Sequence, residues 1–185
     1  MEESNNQFNQ PEQLNLLTPV LKQSDCASCK FCCSFRRQSL WETPVFPKET
    51  MQKLQKLFPQ AKFRAAGKSG KSWTFDILDA YKTDNPDEEA LCPFLNKNNG
   101  CSLPPELKPF DCKIWPLRAV QKNGEDKVFV ALTPTCPAIN KVPVEKIVEL
   151  ANAGLGQKII SYAKQNPDII KEYSSFLSNI VYNDD

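Results

Sequence analysis

Histidine is missing altogether from the 185 residues of this chain. That absence excludes Ser-His-Asp and Cys-His nucleophilic arrangements and every histidine-held catalytic zinc site. Glycine is scarce, with 6 residues against 15 prolines, which predicts loops stiffened by fixed backbone angles. Neither sign of charge dominates, since Lys+Arg 23 and Asp+Glu 22 leave a formal net charge of +1. No global field then steers the chain to nucleic acid or to an anionic membrane, and neither is expected as a partner. No run approaches the ~18 apolar residues that a bilayer span needs. The opening residues, Met1-Glu2-Glu3-Ser4-Asn5-Asn6-Gln7, carry neither a basic nor an apolar signal region, so a cytoplasmic address is expected.

What the chain does have is cysteine, eight of them. In a reducing compartment such a set points to metal binding before cross-linking. The first group is Cys26-x2-Cys29-x2-Cys32-Cys33, and the later ones are Cys92, Cys101, Cys112 and Cys136. A two-residue gap lets a tight turn present two sulfurs to one centre. Structural zinc sites pair two separate knuckles or add histidines. A cubane cluster commonly takes three sulfurs from C-x2-C-x2-C and a fourth from a distant cysteine followed by proline. Cys92-Pro93 and Cys136-Pro137 are such distant cysteines, and no second knuckle matches the first. All eight are candidate ligands, for an iron–sulfur cluster (four irons and four sulfides expected) or for zinc. In extended backbone, Cys32 and Cys33 would point to opposite faces and so serve different sites, with eight thiolates dividing into two sets of four. Lys30, Arg36, Arg37, Lys108 and Lys113 lie near enough in sequence to offset the thiolate charge. Trp115, three residues past Cys112, is placed to keep water from the sulfurs, and Trp41 and Trp73 read as core or shielding residues.

Around the cysteines, 1–25 reads as a polar, disordered or loosely docked extension, 26–140 as the cysteine-cluster domain, and 141–185 as a helical segment packed on it. Pro47 opens a helix that ends by Pro59, with Met51, Leu54 and Leu57 on one face. Residues 71–78 alternate as a half-buried strand with Trp73, Phe75 and Ile77 on one side. Asn123-Gly124 predicts a hairpin between 114–121 and 127–132. Helices are expected over 143–151 and 155–165. A last one opens at Pro167 and carries Ile169, Ile170, Tyr173, Phe176, Leu177, Ile180 and Val181. The segment Gly67-Lys68-Ser69-Gly70-Lys71-Ser72 lacks the upstream glycine of a phosphate loop and reads as a basic surface turn. The expected fold is α+β, a small irregular cysteine-rich domain with an antiparallel hairpin and a helical C-terminal cover. Metal binding is expected to supply much of its folding energy.

The later cysteines sit in wider motifs: Cys92-Pro93-Phe94-Leu95, Cys101-Ser102-Leu103, and Lys108-Pro109-Phe110-Asp111-Cys112-Lys113-Ile114-Trp115-Pro116. Together with the first group they resemble the zinc- or iron-chelating CxxCxxCC (YkgJ-like) family over residues 26–117, with Lys108 where that family has arginine. The resemblance implies metal or iron–sulfur binding. A longer relative in the wider group, flagellin lysine-N-methylase, is linked to an iron–sulfur cluster and methyl transfer. Three functions follow as expectations. The first is a metal-binding protein in redox, cluster handling or assembly. The second is an interaction module, stiffened by structural zinc, for a protein partner. The third is an enzyme resembling a protein-lysine methyltransferase, for which nothing besides the cysteines argues.

Overall fold

Three prolines, Pro47, Pro109 and Pro143, each stand at the residue before a helix with φ between −52° and −63° and extended ψ. Fixed φ at that position aims the chain into the first turn without a side-chain cap. The computed structural model describes residues 16–29, 31–96, 98, 100–175 and 179–184, with side chains for all of these but Gln23, Cys26, Leu40, Trp41 and Glu42.

In chain order the elements are α1 (Gln23–Cys29), β1 (Ser34–Arg36), β2 (Phe46–Pro47), α2 (Lys48–Leu57), β3 (Phe63–Ala66), β4 (Ser72–Phe75), β5 (Glu89–Leu91), β6 (Leu95–Asn96) and β7 (Gly100–Cys101). There follow α3 (Phe110–Ile114), β8 (Leu117–Gln121), β9 (Val128–Leu132), α4 (Val144–Leu150), α5 (Gly156–Gln165), β10 (Lys171–Glu172) and β11 (Asn179–Asn183). The architecture is mixed α and β with mostly antiparallel pairing, as the composition led us to expect. None of the described helices is long and apolar enough to cross a membrane.

Two apolar cores share the molecule. The larger forms where α4 and α5 cover one face of the four-stranded sheet β10-β8-β9-β11. Leu117 and Ala119 from β8, and Val128, Val130 and Leu132 from β9, meet Ile147, Ile159, Ile160 and Ala163 there. The other face of the same strands carries Val120, Phe129 and Ala131, with Tyr173 and Ile180 packed on them. This explains why both strands are buried along their length while still obeying the period of two. The Asn123-Gly124 turn joins them as expected, with Gly124 at φ 81°. The smaller core lies around Phe75, whose ring is 5.1 Å from Phe46 and 4.9 Å from Phe94, with Leu54 of α2 fully buried beside it.

The structure corrects three expectations. The stretch after Pro167 is not a helix. It makes one 3-10 turn (Pro167–Ile169), then β10 pairs parallel with β8, and β11 pairs antiparallel with β9. The apolar spacing there fits a helix, but Ile180-Val181-Tyr182 is a β-branched and aromatic run beside an open sheet edge, and tertiary pairing overrides the periodicity. Phe176 and Leu177 lie outside the described residues. The extension is not loose throughout either. Leu17 and Leu21 are fully buried in the larger core, and the Leu16 amide donates to the Lys113 carbonyl at 2.9 Å. Two such leucines contribute about 1.5–3 kcal/mol each. Finally, the cysteine run begins on a helix, α1, rather than in an irregular loop.

Candidate metal centre

Local pairing brings the cysteine groups together. The strand β1 starts directly after Cys33 and pairs antiparallel with β5, which ends directly before Cys92. The Cys92 amide donates to the Cys33 carbonyl at 2.8 Å, so the two groups are adjacent. A tight hairpin then sets Cys101 of β7 opposite Leu95 of β6. Gly100 makes this possible twice over. It adopts φ 81°, and a Cβ there would sit 3.3 Å from Ala27 on α1. The first cysteine helix therefore packs directly on the hairpin that carries Cys101. Cys112 projects from α3, which is buried at Ile114 and Asp111.

These elements enclose a cavity of about 110 Å³ between the two cores. Cys32, Cys33, Cys92, Cys101 and Cys112 all line it. Cys32 packs on the larger core, and Cys92 and Cys101 pack on the smaller. Among the described residues the cysteines are free thiols. No three cysteine, aspartate or glutamate side chains among them are already drawn together tightly enough to grip a metal ion.

The expectation that Cys32 and Cys33 must face apart is corrected. They lie in a 3-10 turn (Phe31–Cys33), not in extended backbone, so the alternation of a strand does not apply. Both reach the same cavity, and the Cys33 side chain is hydrogen-bonded to Cys32. Cys29 and Cys136 are not on the cavity wall, although Cys136 lies close enough to feel both Cys32 and Cys29 electrostatically. The side chain of Cys26 and all of Lys30 lie outside what is described.

Four of the thiols, Cys32, Cys92, Cys112 and Cys136, are biased toward the neutral form. Burial pushes Cys92 up to about 12 and Cys112 well above the ordinary thiol range, while Lys108 pulls Cys112 back. The hydrogen bond between the neutral Cys32 thiol and Cys33, and then burial, raise Cys32. Burial also raises Cys136, opposed by the amides of Ile139 and Ala138. Desolvation penalises the thiolate in each case.

Of the expected basic partners, Arg36 and Lys108 line the cavity. Arg37 instead turns away to Thr83, Glu88 and the Tyr81 ring, and Lys113 lines a separate groove with Lys158 and Tyr162. Trp115 does line the cavity, as its position after Cys112 led us to expect, whereas Trp73 packs on the smaller core. Trp41 has no described side chain. Sequence reasoning missed Arg118 and Asp111. Arg118 is 9% exposed, stacks its guanidinium 4.6 Å from the Trp115 ring, and lies 3.6 Å from the Asp111 carboxylate. Asp111 accepts a 3.2 Å hydrogen bond from the Val45 amide. The signal was a lone arginine inside the apolar run 117–120.

Compared with models of known protein families, with curated proteins and with solved structures, the chain matches none. The site therefore has to be read from its own chemistry.

Two buried donors decide what kind of guest that chemistry fits. The Trp115 Nε1 and the Arg118 Nη1 are buried, have no hydrogen-bond partner and belong to two residues that line the cavity. Orphaned donors beside several thiols suit a guest that is anionic overall yet bound by sulfur.

Proposed function

We propose that this chain is a metalloprotein whose cavity thiols hold an iron–sulfur cluster, in the manner implied by its resemblance to the CxxCxxCC family. The observation that carries this reading is the convergence of Cys32, Cys92, Cys101 and Cys112, from four separate elements, on one small cavity with unpartnered N–H donors. A single zinc ion asks four sulfurs to meet at roughly 2.3 Å from one point. A cubane is a body several atoms across, and its thiolates attach around it. Sulfurs spread over the wall of a cavity suit the second guest better than the first.

In this reading Cys32, Cys92, Cys101 and Cys112 are the ligands, with Cys33 hydrogen-bonded to Cys32 on the same wall. Burial that now opposes thiolate formation is offset once iron binds, because the cation stabilises the charged sulfur. Lys108 and Arg36 supply positive charge beside the sulfurs. The Trp115 indole covers the cavity and limits the access of water. When bound, such a cluster supplies one-electron chemistry, which places the chain in redox, cluster handling or assembly.

Size argues against the methyl-transfer alternative at this cavity. About 110 Å³ is well below the roughly 300–1,000 Å³ of pockets that bury a drug-sized ligand such as a methyl donor. The deciding experiment is anaerobic purification followed by iron, zinc and acid-labile sulfide analysis with a visible spectrum. Brown protein with iron and sulfide in matching amounts is expected. Colourless protein holding zinc alone would replace this reading with the structural-zinc interaction module.

A further inference from the structure

Arg118 and Trp115 form one stacked unit among the residues that line the thiol cavity. The β8 strand alternates, so Leu117 and Ala119 enter the larger core while Arg118 leaves on the other face. That places a permanently charged group in a site where it is about nine-tenths buried. Burying a cation this deeply is costly unless it is paired. Asp111 provides part of the pairing, but at 3.6 Å it lies beyond hydrogen-bond distance from Nη1. Asp111 also spends one oxygen on the Val45 amide. The Trp115 ring lies under the guanidinium at 4.6 Å and takes some of the charge through its π face, yet its own N–H is left without a partner. Two strong donors are therefore left over in a buried site, and both belong to residues that line the same cavity as the thiols.

Buried donors without partners are rare, because each gives up its hydration and gets no bond in return. The arrangement makes physical sense if the missing acceptor is the guest itself. Resting on the cluster reading above, we infer that Arg118 and Trp115 are positioning residues that supply N–H donors and positive charge to an anionic iron–sulfur cluster in this cavity, and so raise its reduction potential. One-electron reduction adds one negative charge to the site. A fixed guanidinium and an indole N–H stabilise the more negative state more than the less negative one, so the reduced form gains. Lys108 also acts near Cys32 and Cys112, but as a compact ammonium rather than a planar fork.

The test is a potentiometric titration with dithionite of the anaerobically purified full chain, comparing the wild type with Trp115→Phe and Arg118→Lys. Trp115→Phe removes the N–H and keeps a smaller aromatic ring at that position. Arg118→Lys keeps the charge that Asp111 faces and removes the fork. Iron and sulfide content and circular dichroism are measured on each preparation. With content and fold unchanged, a lower midpoint potential in both variants is expected. Unmoved potentials at full content overturn the inference while leaving the cluster reading intact. If one variant loses iron, the other decides. Loss of iron from both with the fold preserved assigns the pair to binding instead of tuning and also overturns it. A wild type without iron or sulfide overturns the cluster reading, and this inference with it.

Discussion

The amide of Cys92 donates to the carbonyl of Cys33 at 2.8 Å, and this one bond joins the two halves of the cysteine set. It continues the β1–β5 pairing by one residue, so backbone geometry holds the first cysteine group beside the second. The order in which the remaining cysteines approach follows from that. Cys101 arrives on a hairpin, Cys112 on a helix, and Cys136 stays outside the cavity.

Cys112→Ser and Cys136→Ser should therefore behave differently. Cys112 is on the wall with Cys32, Cys92 and Cys101, so its loss should remove most of the bound iron and the visible absorption. Cys136 is buried against the larger core and off the wall, so Cys136→Ser should keep most of the iron. Iron per chain after anaerobic purification checks both. Equal losses would mean that Cys136 is a ligand, as the proline after it first led us to expect.

Gly100→Ala tests how the first cysteine helix is held. The substitution forces a side chain onto φ 81° and pushes a Cβ to 3.3 Å from Ala27. A loss of about 1 kcal/mol is expected from the backbone term alone, with more if α1 has to move. Urea unfolding measures the first effect. A fall in iron content beyond that of an equally destabilised core variant would report the displacement of α1.

Much of the fold was legible because burial follows period. Leu54 on α2 and Phe75 on β4 lie where the pattern put them, and Asn123-Gly124 turns the hairpin. The C-terminal strands were not legible, since Ile169, Ile170, Tyr173 and Ile180 fit a helix equally well and only the open sheet edge decides. Spacing grouped Cys26, Cys29 and Cys32 with a distant cysteine before proline, whereas Cys32 and Cys92 share the cavity wall with Cys33, Cys101 and Cys112, and Cys29 and Cys136 are off it. The shared direction of Cys32 and Cys33 was not legible, because a single 3-10 turn reverses the strand rule. Arg118 was hidden because its burial depends on β8 being covered on both faces, and no local pattern states that.

Phe75→Ala should report on the smaller core. Phe75 is 1% exposed and its ring meets those of Phe46, Phe63 and Phe94 at 5.1, 6.2 and 4.9 Å. Removal of that ring should cost about 3–4 kcal/mol. Phe75 also lines the cysteine cavity, so the variant should bind iron less tightly even where it remains folded. Denaturant midpoints and iron content measured on the same preparation separate the two effects. A stability loss below about 1 kcal/mol would mean that the site collapses around the deletion.

The turn that failed as a phosphate loop nevertheless holds an anion, one from its own chain. The Ser69 amide donates to Asp168 Oδ1 at 2.9 Å, the Ser69 hydroxyl donates to Oδ2, and a side chain at Gly67 would collide with the carboxylate. Partial burial pushes the Asp168 carboxyl up, but the Ser69, Ser72 and Lys68 hydrogen bonds outweigh it and hold it below the ordinary value. A carboxylate depressed in the folded state contributes stability above its unfolded value, about 3.9, and loses that contribution as pH falls through the lower folded value. Asp168→Asn should therefore be less stable than the wild type at neutral pH, and the gap should close as the pH drops below about 4. Because the other titrating groups are common to both proteins, the difference between two urea midpoints followed from pH 7 to acid isolates this one carboxylate. A gap that stays constant down to the lowest pH at which both remain folded would show that the loop is held by packing at Gly67 and not by the charge of Asp168.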